Sequence, residues 1–100
     1  MDTATLRQIL LAEMECYTGE GLNDRAYLTV NETDGVYTIV DIARVQGRRL
    51  VGTVLVARLD KDRVVIELDR HDKPLVDALI MRGVPKAQIV LAYHRDALPA

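Results

Sequence analysis

The sequence predicts an α+β domain, an antiparallel sheet of about five strands with two helices in the order α-β-β-β-β-α-β. Three observations carry this prediction. Apolar residues recur at spacings of three and four near the start of the chain and again after residue 74, alternate with period two through the middle, and are punctuated by turn residues roughly every ten positions. With no linker, repeat or low-complexity tract, residues 1–100 are expected to form a single domain.

Leu6, Ile9, Leu10, Met14 and Tyr17 fall on one face of a helix over about residues 4–17, with Asp2 or Thr3 as its cap and Gly19 and Gly21 as its stop. From Ala26 the period changes to two, and Thr33-Asp34-Gly35 supplies a hairpin turn. Val36–Val45 is rich in β-branched residues, Gln46-Gly47-Arg48 makes the next turn, and Leu50–Leu59 is another strand. Asp60-Lys61-Asp62 closes a third hairpin into Arg63–Asp69, which completes an antiparallel meander. A second helix follows, with Asp72 as its expected cap, Pro74 in the first turn, Leu75, Leu79 and Ile80 turned inward, and Gly83 as its end. Val84-Pro85-Lys86 then bends the chain into a last strand, Ile89–Tyr93.

Composition narrows the class. Apolar residues make up 49% and charged residues 28%, inside the globular range. The longest apolar runs, such as Ile9–Ala12 and Val54–Ala57, are far short of the ~20 residues needed to span a bilayer, so no membrane association is expected. Met1-Asp2-Thr3-Ala4 lacks the basic start and apolar stretch of a secretory signal, which leads us to expect a cytoplasmic protein. The single Cys16 agrees, because it has no internal disulfide partner.

The net charge of −2 is unevenly spread: residues 1–40 hold two basic and seven acidic groups, whereas residues 41–100 hold eleven basic and eight acidic ones. The chain as a whole is therefore not polybasic, but its second part has room for a basic face. The densest positive charge is Arg48-Arg49 at a hairpin with Arg44, Arg58 and Arg63 on neighbouring strands. Arg44, Arg48, Arg49 and Arg58 are the candidate partner-binding or phosphate-binding residues; the bland alternative is that edge strands carry exposed Arg and Lys to block aggregation.

A catalytic set is hard to assemble. Cys16 lies near the C-terminal end of the first helix, where the helix dipole disfavours a thiolate, and reads as inert. His71 and His94 stand without a Cys-x-x-Cys, His-x-His or His-Glu-x-x-His spacing, so no metal or cofactor is expected. Glu67, Asp69 and Asp72 are explained by a solvated sheet face and a helix cap. The four tyrosines, with no Phe or Trp, read as core residues. Two helices cover one sheet face, yet Val51, Val54, Leu55 and Val56 occupy both, so a homo-oligomer burying the second face is expected.

Gly83-Val84-Pro85-Lys86 followed by Ile89-Val90-Leu91-Ala92-Tyr93-His94, the run Arg48-Arg49-Leu50-Val51-Gly52, and Val65-Ile66 with Asp69 resemble, in turn, the closing motif, the paired-arginine strand start and the apolar strand leading to an Asp of the XisI-like family, the fdxN element excision controlling factors. Arg7-Gln8-Ile9-Leu10 fits its opening helix. The chain departs from the family pattern at Arg44, where an aromatic is usual, and at Arg70-His71-Asp72, where Gly-Thr-Glu follows the Asp.

The resemblance implies a non-enzymatic XisI-like domain, dimeric, that acts with a companion protein of XisH type to control excision of a mobile DNA element by a recombinase. Two other readings stay open on the residues. In one, the basic half tracks DNA phosphates directly, against which the net charge argues. In the other, Glu67, Asp69 or Asp72 works with His71 or His94 in a small ligand-binding or metal-dependent enzyme.

Overall fold

The computed structural model describes residues 1–93; His94 lies outside them. Helix α1 (Thr3–Glu15) starts at Asp2, whose Oδ1 accepts the Thr5 N–H at 2.7 Å; hydrogen bonding with the Thr5 side chain, and then with its backbone, holds this carboxyl below its usual pKa. A six-stranded sheet follows in chain order: β1 (Gly19–Glu20), β2 (Asp24–Asn31), β3 (Val36–Val45), β4 (Arg48–Asp60), β5 (Arg63–Asp69) and β6 (Ile89–Leu91). Helix α2 (Leu75–Met81) lies between β5 and β6. All neighbouring strands are antiparallel except β5 and β6, whose parallel pairing uses α2 as the crossover.

The α+β architecture and element order are as predicted, with four local corrections. Gly19–Glu20, expected only to stop the helix, forms a short sixth strand against Arg25 and Ala26, too short to show a period of two. The last strand ends at Leu91 rather than Tyr93. Asp72 does not cap α2: the N-cap is Pro74, and the carboxylate that meets the helix start is Asp69, whose Oδ2 accepts the Leu75 N–H at 2.7 Å and whose Oδ1 accepts the His71 N–H at 3.0 Å. Ile80, expected to face inward, is exposed, because α2 is only two turns long and buries Leu75, Ala78 and Leu79.

Both helices pack on one face of the sheet. Leu6, Leu10 and Met14 of α1 and Leu75 and Leu79 of α2 meet Tyr37 and Ile39 of β3, Leu55 and Ala57 of β4, and Val64 and Ile66 of β5, and all are buried. Each such leucine or isoleucine contributes about 1.5–3 kcal/mol by leaving water. The two helices are also clipped by charge: the Arg82 Nε donates to Glu13 Oε1 at 2.6 Å, and the Glu13 side chain is 5% exposed. Of the tyrosines, Tyr37 belongs to this core, Tyr17 and Tyr93 pack against it, and Tyr27 is exposed.

Two β-bulges shift the ladder. Val54 is the extra residue in β4, between the pairs Ile39–Leu55 and Val40–Thr53, and Glu67 is the extra residue in β5, between Val56–Leu68 and Ala57–Ile66. Directly paired residues share a sheet face, so Thr38, Val40, Ile42, Val51 and Val56 fall on the face away from the helices.

Candidate partner-binding arm

β3 and β4 outrun their neighbours. β2 pairs with β3 only as far as Ala43, and β5 pairs with β4 only from Leu55 onward, so residues 44–49 form a two-stranded arm and residues 50–53 of β4 are a sheet edge with no outer neighbour among the described residues. The tip of the arm is Gln46-Gly47, with φ of 53° and 76°, between the paired Val45 and Arg48. Positive φ at both central residues defines the type I′ loop, whose twist matches that of a hairpin.

The backbone bonding fixes where the arginines point. The Arg44 N–H donates to the Asn23 carbonyl at 2.8 Å, so the polar groups of Arg44 face β2 rather than β4. Arg44 and Arg49, directly opposite in register, therefore form a non-hydrogen-bonded pair, the kind with side chains closer together. Both side chains lie on the bare face, both are exposed, and neither has an ion-pair partner among the described residues. Like charges opposed in this way disfavour the sheet. The pair lines an open groove of about 420 Å³ with Asp24, Arg25 and Ile42.

The predicted basic residues thus separate. Arg44 and Arg49 converge. Arg48 pairs with Val45 and projects to the opposite face of the arm, as its neighbour position along a strand requires. Arg58 shares the bare face but is already neutralised, its Nε donating to Glu67 Oε2 at 2.7 Å. Arg25, not among the candidates, joins the groove; it is held by Glu20 at 2.9 Å, with its guanidinium carbon 5.4 Å from the centre of the Tyr27 ring.

The acidic candidates do not assemble. Arg58 occupies Glu67, Asp69 serves two backbone N–H groups, and Asp72 is exposed. Among the described residues no group of three or more His, Cys, Asp or Glu could hold a metal. Cys16 is exposed, its thiol donating to the Ala12 carbonyl at 3.4 Å.

A titratable cluster that the sequence reading missed lies at the root of the arm. Burial raises the Asp41 carboxyl pKa, as do its hydrogen bond and repulsion with Asp24, while His71 opposes the shift. The His71 ring lies 4.7 Å from that of Tyr17, whose hydroxyl donates to the Lys73 carbonyl at 3.0 Å and is pushed up to about 12, chiefly by burial. The signal was available in part, since Asp41 is the only acid within the β-branched run 36–45.

Fold and surface together define an α+β domain whose most distinctive feature is a basic arm. The chain belongs to the XisI protein family, which matches residues 2–98. Two solved structures share its fold, both from Anabaena variabilis ATCC 29413. One is a XisI-like protein, 16% identical with a TM-score of 0.67 over 89% of this chain and 81% of that one. The other is the fdxN element excision controlling factor XisI, 18% identical with a TM-score of 0.69 over 91% of this chain and 86% of that one. Curated proteins returned no match.

Proposed function

We propose that the chain is a non-enzymatic, XisI-like regulatory factor that controls excision or rearrangement of a mobile DNA element by binding a companion protein of XisH type or a recombinase. The observation that carries the contact is the close, unneutralised Arg44–Arg49 pair on the bare face. Opposed cations cost the isolated sheet and are favourable once an anionic surface lies across them. Family membership and the excision-controlling name of a structural relative support the biological setting. The same reading includes a cytoplasmic homodimer that buries the bare face around Val40 and Val56, leaving the arginine groove to the companion.

Affinity capture from source-cell lysate, with and without nuclease, tests this reading. A XisH-like or recombinase-like protein retained after nuclease treatment, and lost when Arg44→Glu and Arg49→Glu are combined, is the expected result. Retention that vanishes with nuclease and falls steeply with added salt would instead establish direct phosphate contact with DNA. Sedimentation of the purified protein checks the dimer.

A further inference from the structure

The arm and the β4 residues behind it carry an unused strand edge as well as a charged face. Because Arg44–Arg49 is a non-hydrogen-bonded pair, the N–H and C=O of Arg49 point away from β3, and so do those of Val51, opposite Ile42 two residues on. β5 does not reach this part of β4: its ladder begins at Leu55, and the Arg70 N–H bonds to the Val54 carbonyl at 2.9 Å just beyond. Among the described residues nothing pairs with the outer edge of residues 48–53. Beside its two arginines this edge also exposes aliphatic side chains: Leu50 is 54% exposed and Val51 62%.

We propose that this edge binds an extended, acidic segment of a partner protein, which adds to the sheet as a seventh strand beside β4. Strand addition draws affinity from main-chain bonds and selectivity from alternate side chains. Here each face of the edge offers one cation followed by one aliphatic: Arg48 and Leu50 on one face, Arg49 and Val51 on the other. An antiparallel partner satisfies both faces when it presents two consecutive apolar residues followed by two consecutive acids. A second copy of this chain does not fit the edge, since it would bring Arg44, Arg48 and Arg49 against the same three cations. The inference rests on the acidic-partner reading above and adds to it the mode of binding and the pattern read.

The test is an amide-resolved NMR titration with a synthetic peptide containing Val-Val-Glu-Glu, flanked by threonines and blocked at both ends. Saturable shifts and slowed hydrogen exchange at the Arg49 and Val51 amides are expected, with little change at Leu50, whose N–H already bonds to β3. An isomer with alternating Val and Glu, which places both acids on one face, should bind several-fold more weakly. A peptide N-methylated on its pairing edge should not bind, and Val51→Pro, which removes an outward N–H while leaving an apolar side chain, should weaken binding at least tenfold. If Val51→Pro fails to fold, the N-methylated peptide tests the same bond on the unaltered protein. Binding that survives N-methylation and Val51→Pro but is lost with Arg44→Glu and Arg49→Glu would overturn strand addition and leave the charge contact standing. Binding lost with Val51→Pro but indifferent to both charge reversals would remove the arginines and keep the strand. No shifts at millimolar peptide would overturn the inference, while the companion-protein reading would still be decided by lysate capture.

Discussion

One strand spans two environments. In the second half of β4, Leu55 and Ala57 are wholly buried under the helices, whereas in the first half Leu50 and Val51 are more than half exposed. Both stretches carry large apolar side chains and pair with β3, and they differ in whether a helix and a neighbouring strand reach them. Hydrophobicity therefore sets what a segment could bury, and the lengths of the surrounding elements decide what it does bury.

The largest test of this contrast is a pair of truncations. Leu55→Ala should cost about 2–5 kcal/mol by emptying a buried site, while Leu50→Ala should stay within about 0.5 kcal/mol, both read from urea unfolding. Equal costs would mean that the open edge is covered in solution. Arg82→Ala comes next, with a smaller loss in the same urea series, because it strips the close partner from a carboxylate only 5% exposed and leaves Lys73 at 3.9 Å.

On the arm the sign should reverse. Arg49→Thr removes a like-charge cross-strand pair and is expected to stabilise the domain by about 0.2–1 kcal/mol while weakening companion capture. A destabilised variant would show that the pair is held by interactions within the chain. Asp41, paired with Gly52 on one side and Ala26 on the other, gives the smallest effect. Its raised pKa means that folding favours the protonated carboxyl, so its contribution is complete below the unfolded value of 3.8 and is lost as pH rises through the folded value. Asp41→Asn should melt at a higher temperature than the parent at pH 7, with the difference shrinking as the pH is lowered towards 4 in a series of thermal melts.

The fold was legible because its signals are local. The period of α1, the turn residues at Gly35 and Gly47, and the β-branched run 36–45 each act within a few residues. What escaped depends on contacts across the chain. Asp69 serves the start of α2 through a bond spanning six positions, and Glu13 meets Arg82 across 69, a pairing no spacing rule contains. The arginine cluster was legible as composition only. Which of its members converge depended on a register the sequence leaves open, and that register set Arg44 beside Arg49 and turned Arg48 away.

The bulge at Val54 sits where β4 loses its outer neighbour β5, and a bulge bends and twists its strand locally. Residues 48–53 reach about 20 Å at roughly 3.4 Å per residue, so the bend set at Val54 is carried along the open edge to the arm at its far end. The direction in which the arm presents whatever it holds is therefore governed by the length of the chain at one position. Deleting Val54 would re-aim the arm without touching an arginine, and relatives that differ by one residue there would offer the same chemistry along a different line of approach.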